Sequence, residues 1–229
     1  MNYFQGYMMG FSNNYLCSYM DWFHNFNCSL LFGVLFFVFM VIVNLFVNSY
    51  YFKSHSIEYQ FGEFLCSLLP LFILVFQMFP SLSLLYFSGL SYMDSSLTVK
   101  VVGHQWYWSY DYSDVGVEFD SYMKSIDSLL IGEPRLLEVD NRCVVPCDTN
   151  IRFCITSADV IHSWSLPSFC IKLDAMSGIL STVTCSFPMV GVFYGQCSEI
   201  CGANHSFMPI CLEVSLLENF KDWCYLMSS

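Results

Sequence analysis

Between Asp21 and Lys53 the chain carries no formal charge, and residues 30–47 are apolar throughout except for Asn44. A run of that length spans the hydrocarbon of a bilayer as a helix, the conformation that satisfies every backbone donor and acceptor internally. A second charge-free stretch covers residues 64–93, with its apolar density between 65 and 87. Pro70 and Pro80 fall inside it; they would break a soluble helix but are tolerated in membrane helices. The pattern predicts a hairpin with spans over 28–50 and 64–88. A pair of buried core helices is the alternative, and two such runs are rare in soluble proteins. A cleaved signal peptide fits the first run poorly, because residues 1–29 lack a basic segment and the apolar run is too long. Lys53, the one base of the connector 48–60, places that loop on the cytoplasmic or equivalent side. Both the N-terminus and the C-terminal region then lie opposite.

From about Ser95 the period changes. Residues 97–102, 105–112, 135–139, 151–157, 169–173, 180–187, 190–194 and 209–214 read as short strands separated by turn residues. Strands at that spacing predict a sandwich or barrel, and about 135 residues suffice for one such domain with its own core. A short amphipathic helix over 216–226 closes the chain. The division is therefore 1–94 for the N-terminal segment and hairpin, and 95–229 for a β domain.

Composition sharpens this division. The 229 residues are 55% hydrophobic and 12% charged, about half the usual ~25% charged share, which excludes a disordered chain. Residues 1–90 hold Asp21, Glu58 and Glu63 against Lys53, a net of −2; the remainder holds 16 acids and 7 bases, a net of −9. Eight bases against 19 acids argue against a nucleic-acid partner.

The candidate chemistry lies near the C-terminus, in Tyr194-Gly-Gln-Cys197-Ser-Glu199-Ile-Cys201-Gly-Ala-Asn-His205-Ser-Phe-Met208-Pro209. Thiolate, imidazole and thioether together select copper over hard cations. A mononuclear blue-copper site uses one Cys, two His and a weak Met, so a second His must come from elsewhere. His24, His55, His104 and His162 remain, and His162, at a predicted strand end, is the best placed. Two Cys on one folded loop can instead bridge a pair of copper ions, each with one His and one weak axial group. Such a rigid, delocalised site suits electron transfer. Alternatives are a closed zinc site, which would leave Met208 idle, a strained Cys197–Cys201 disulfide, and a Cys–His nucleophilic dyad without an oxyanion hole.

With Val102-Gly-His-Gln-Trp-Tyr-Trp-Ser-Tyr110, Arg135-Leu-Leu-Glu-Val-Asp-Asn-Arg142 and Asp159-Val-Ile-His-Ser-Trp164, the chain resembles the subunit II family of mitochondrial cytochrome c oxidase, in particular its invertebrate, nematode-like form. The resemblance spans nearly the whole chain. It implies a membrane-anchored fold: a two-helix transmembrane hairpin followed by a cupredoxin-like Greek-key β-sandwich. It also implies a dinuclear copper A centre, with Cys197 and Cys201 bridging, His162 and His205 as terminal ligands, and Met208 and the Glu199 carbonyl as weak ligands. The Glu199 side chain is implied to hold a magnesium ion shared with subunit I. Trp106 matches the tryptophan where electrons arrive from cytochrome c, and Asp111, Asp114, Asp140 and Asp159 resemble docking acids for that basic protein. Glu63 matches a glutamate at the mouth of a proton path into subunit I. The implied activity is one-electron transfer from cytochrome c to haem in subunit I, where oxygen is reduced to water and protons are pumped. Implied partners are cytochrome c, subunit I and the other subunits, and membrane lipid; the implied location is the mitochondrial inner membrane, with the C-terminal domain in the intermembrane space. A quinol oxidase subunit would lack the copper ligands, and a soluble copper A domain would lack the hairpin. A membrane-tethered metal-delivery module is the rival from another class. The ten other cysteines read mostly as small buried hydrophobes.

Overall fold

The computed structural model of the chain describes residues 15–48, 58–89 and 94–228. Of these, residues 19–48 and 58–89 belong to one compact unit, and residues 15–18 with 94–228 to the other.

Helix α1 covers Tyr15–Asn48, its first residues belonging to the other unit and the rest to the first, and α2 covers Gln60–Gly89 in the first. Uncharged Leu, Phe, Val and Ile side chains turn outward all round both helices; Phe32, Phe46 and Tyr86 are 70% exposed or more. Apolar exposure on every face is what lipid rewards and water penalises, and neither helix is buried within this chain as the core-helix alternative requires. Pro70 and Pro80 sit within α2 without ending it. Gln77 donates to Asn27 across the pair at 3.2 Å, and Phe26 packs on Phe76 and Tyr19 on Phe87, with centroids 5.6 and 5.2 Å apart. The Gln77–Asn27 bond satisfies polar groups that hydrocarbon cannot. The helices outrun the predicted spans at their N-terminal ends. Lys53 and His55 lie outside the described residues.

The second unit is a β-sandwich. Strands β1 (Leu97–His104), β2 (Tyr107–Tyr112), β3 (Val117–Ser121), β5 (Ile151–Ser157) and β8 (Ser181–Cys185) form a five-stranded sheet in the order β3-β2-β1-β5-β8. Strands β4 (Cys143–Pro146), β9 (Gly191–Gln196) and β10 (Pro209–Ser215) form a second sheet in the order β4-β10-β9, and β6 (His162–Leu166) pairs with β7 (Ile171–Ala175). Two neighbouring pairs, β1 with β5 and β10 with β4, are parallel, so the chain must cross between sheets to form them. Alternation explains the core. Leu97, Val99 and Val101 of β1 face inward beside Ile151, Phe153 and Ile155 of β5, while Lys100 and Arg152 face out. Trp108, Tyr110, Trp164, Phe169 and Phe187 fill the space between layers. Helix α3 (Leu217–Ser228) caps one edge through Phe220 and Trp223.

Several elements differ from the pattern reading. The predicted strand at 135–139 does not form: residues 135–137 are a turn, Leu136 takes φ 67°, and only Val139 makes a bridge, to Met123. Its side chains serve a buried polar cluster, described below, rather than a ladder. Strands β3, β4 and β6 fall outside the pattern reading: β4 and β6 are buried on both faces, whereas β3 does alternate, with Val117 inward and Glu118 and Asp120 outward, and is short. The strand predicted at 169–173 is shifted, because Pro167–Phe169 makes a 3₁₀ turn first.

Candidate metal centre

Three elements converge to build the site. His162 opens β6 and is fully buried. The loop leaving β9 supplies Cys197, Glu199 and Cys201, the short 3₁₀ turn His205–Phe207 supplies His205, and Met208 follows it immediately before β10. Because β9 and β10 pair antiparallel with Gln196 opposite Pro209, the loop between them closes tightly. Its ends are thereby brought to the same place.

The donor atoms cluster. Cys197 Sγ lies 3.9 Å from Cys201 Sγ and 3.9 Å from His162 Nδ1. Cys201 Sγ lies 3.5 Å from His205 Nδ1 and 3.5 Å from Met208 Sδ. The Glu199 carbonyl accepts from the Cys197 thiol at 3.3 Å. The ligand atoms of His162, Cys197 and Cys201 all fall within 4.8 Å of one another, and all three residues are buried. Each thiol thus has an imidazole nearby, His162 beside Cys197 and His205 beside Cys201 and within reach of Cys197, with the other thiol between. That is a two-centre donor arrangement, soft and borderline in character, and it fits a metal pair bridged by sulfur. The Cys197 and Cys201 sulfurs are apart rather than bonded.

Surrounding groups hold the imidazole. His162 Nε2 hydrogen-bonds Asp159 Oδ1 at 2.8 Å, which directs the other ring nitrogen at Cys197, the arrangement that orients metal-binding histidines. Asp159 also accepts from the backbone N–H of Gln105 and Val160, at 2.8 and 2.6 Å. Partial burial raises the Asp159 carboxyl, but these hydrogen bonds, that of His162 foremost, outweigh it and hold it below the ordinary range. Burial would lower His162; its contacts with Cys197 and Asp159 win and raise it. The two thiols are unequal: burial opposes ionisation at both, hydrogen bonding to His162 brings Cys197 down to about 7, and the neighbouring Cys197 sulfur helps push Cys201 up to about 12. A Cβ at Gly103 would lie 2.9 Å from the His162 ring, so this position must remain glycine for the imidazole to sit here.

Trp106 lies against the same loop. A Cβ at Gly202, whose φ is +124°, would be 3.1 Å from the Trp106 ring, and Gln105 Nε2 donates to the Cys201 carbonyl at 2.8 Å. Next to it, His104, Tyr107 and Tyr122 stack with successive centroids 4.5 Å apart. The acids divide. Asp159 touches the site, and Asp140 caps Tyr122 N at 2.8 Å beside the aromatic stack. Asp111 and Asp114 lie toward the far end of the β1–β2 hairpin, where Asp111 pairs across from Lys100 and Asp114 accepts from Thr98 N. Five residues of strand from Trp106 to Asp111 amount to about 17 Å. Glu63 occupies the exposed first turn of α2, in the other unit. Of the remaining histidines, His104 stacks on Tyr107 and His24 contacts Cys28.

A buried polar cluster stands behind the loop. Glu138, 1% exposed, accepts from Arg142 Nε at 2.8 Å and from the Tyr194 hydroxyl at 2.9 Å, while Arg142 also reaches Glu213 at 3.0 Å. It links the turn at 135–142 to β9 and β10, the two strands that carry the loop. Sequence reasoning missed Asp159 as the histidine's partner, along with Gln105, Gly103, Gly202 and Glu138. The available signal was adjacency: Asp159 stands three residues before His162, and Gln105 immediately before Trp106.

The family description "Cytochrome C oxidase subunit II, periplasmic domain" matches residues 97–215. Cytochrome c oxidase subunit 2 of Ascaris suum is 73% identical over 224 residues, covering 97% of each chain. The Caenorhabditis elegans protein of the same name is 72% identical over 225 residues, covering 98% of this chain and 97% of its own. Among solved structures, the periplasmic domain of subunit II of cytochrome oxidase of Bradyrhizobium japonicum superposes with a TM-score of 0.56 at 45% identity, over 59% of this chain and 96% of that one. A mixed disulfide between a thioredoxin-like protein and a cytochrome c oxidase subunit II gives a TM-score of 0.53 at 44% identity, over 60% of this chain and 94% of that chain.

Proposed function

The chain belongs to the cytochrome c oxidase subunit II family and is a subunit of that oxidoreductase, and from that premise we propose that it is the subunit through which electrons enter the complex from cytochrome c. Cys197 and Cys201 would supply thiolates, His162 and His205 imidazoles, and Met208 and the Glu199 carbonyl weaker donors, together holding a pair of copper ions. When bound, the copper pair supplies a one-electron store with little reorganisation.

The residues around it do the rest. Asp159 keeps the His162 tautomer and ring plane fixed. The buried walls exclude water from the sulfurs, which limits both oxidation and solvent reorganisation. Trp106 offers a π-system lying on the loop at Gly202, with Gln105 bonding the Cys201 carbonyl. The acidic surface of the β domain attracts a basic partner and speeds its encounter. Asp140 and Asp159 stand beside the aromatic stack and would frame the docking face; Asp111 and Asp114 would extend its field from farther away. The Glu199 carboxylate would hold magnesium together with subunit I, and Glu63 would admit protons toward that subunit. The electrons would continue to haem in subunit I, where reduction of oxygen drives proton pumping. The hairpin would lie in the mitochondrial inner membrane, with the β domain in the intermembrane space.

The observation that carries this reading is the pairing of each buried thiol with a nearby imidazole around a shared centre. The β domain loaded with copper should bind two ions per chain and give a seven-line spin-resonance signal from one electron shared between them. A single zinc with no mixed-valence signal would overturn it in favour of a metal-delivery module.

A further inference from the structure

Cys17 and Cys170 are 153 residues apart in the chain, and their sulfurs lie 2.9 Å from each other. Both belong to the unit made of residues 15–18 and 94–228. Cys17 is the one buried residue of α1 among those described, 3% exposed, and its thiol also faces the Ser168 carbonyl at 3.6 Å. The turn over residues 167–170 thus meets it at two atoms. Cys170 is exposed and takes φ 54°, ψ 32°, a left-handed conformation usually left to glycine or asparagine. A cysteine at that position costs backbone energy that a glycine would avoid, so something other than the turn selects its sulfur.

We propose that Cys17 and Cys170 are a cross-linking pair that joins the first turn of α1 to the 167–170 turn of the β domain as a disulfide. Closing the sulfurs to the ~2.05 Å bond length requires a shift of about 0.9 Å, within reach of side-chain rotation. The oxidant is a protein disulfide. The exposed Cys170 thiolate attacks one of its sulfurs, breaking that bond and forming a mixed disulfide. Cys17 then attacks the Cys170 sulfur and expels the oxidant's remaining thiolate. One S–S bond forms and one breaks; two electrons pass to the oxidant, and the two thiol protons end on its sulfurs. Exposure assigns the attacking role to Cys170, and burial assigns the resolving role to Cys17. The bond would close a very long loop, the case in which a cross-link most restricts the unfolded chain.

The test uses the intact purified oxidase, prepared with a maleimide present throughout. It is unfolded without reductant, blocked with the same maleimide, then reduced and labelled with iodoacetamide. Peptide mass analysis should find iodoacetamide on both Cys17 and Cys170 in most chains, and the maleimide on Cys143 and Cys185, which controls for general oxidation. The unreduced digest should contain the two peptides joined, lighter by two hydrogens than their sum. Maleimide on Cys17 and Cys170 in most chains would overturn the proposal. So would finding either sulfur joined to a different cysteine or to a small thiol.

Discussion

Asp159 resembles a surface acid that greets a partner, yet its carboxylate accepts from three donors, one of them the imidazole that faces Cys197. Replacing it by Asn removes the charge but keeps the shape, so the effect should fall on the metal and not on the fold. Asp159→Asn should weaken copper binding by roughly 10- to 100-fold, the loss typical of a ligand's hydrogen-bonding partner, as measured by competition with a chelator. An unchanged affinity would show that His162 needs no support. Trp106 is the converse case, since it touches the loop backbone but offers no ligand atom. Trp106→Ala should leave the copper spectrum as it is and slow electron uptake from cytochrome c by about tenfold or more, as loss of an interface aromatic anchor does. A stopped-flow trace at the wild-type rate would remove its assigned role.

At the scale of elements, the loop is set by the two strands that bear it, and those strands are tied to the 135–142 turn through Glu138. Truncating Glu138 to Ala leaves the Tyr194 hydroxyl and Arg142 Nε without their carboxylate, although Arg142 Nη1 keeps Glu213. The cost should be about 2–3 kcal/mol, less than the ~3–5 of a fully buried pair, because the Arg142 side chain keeps 30% exposure. Chemical denaturation of the β domain reads this directly; a change below ~0.5 kcal/mol would mean that the cluster is ornamental. The same turn explains a strand that did not form. Residues 135–139 have the composition of a strand, but Leu136 turns at φ 67°, so only Glu138, whose carbonyl accepts from Lys124 N, and Val139, bridged to Met123, join a neighbour.

For the whole molecule, burial and charge make two predictions. Burial holds the Cys143 thiol at about 12, its hydrogen bond with Tyr112 only partly offsetting that, against ~8.5 for an exposed thiol; Cys211 is raised in the same direction, again chiefly by burial. The folded chain keeps protons that the unfolded chain releases, so these groups contribute full stability below pH ~8.5 and lose it as pH climbs toward 12. The melting temperature of the domain should therefore be level near neutrality and fall steadily above pH ~9. A midpoint that rises with alkali would contradict it. The net of −9 on residues 91–229 should make the rate of reaction with cytochrome c fall as salt rises, as steered encounters do. Indifference to ionic strength between ~10 and ~200 mM would detach the acidity from docking.

Much of this protein is decided by short-range pattern. Uncharged runs long enough to cross a bilayer need no partner to declare themselves, and a ligand set packed into residues 197–208 is visible from its spacing alone, although the pairing of β9 with β10 is what closes the loop that carries it. The alternation of Val99 and Val101 or Phe153 and Ile155 likewise marks a core face by its period alone. Strands buried on both faces, such as β4 and β6, lack that period, and the sequence is silent there. What the tertiary structure decided is everything joined across a long separation: which histidine completes the site, that Asp159 and Gly103 position it, that Trp106 lies on Gly202, and that Cys17 meets Cys170. Such contacts are set by how the sheets cross and pack, and no local preference of either partner records the distance between them.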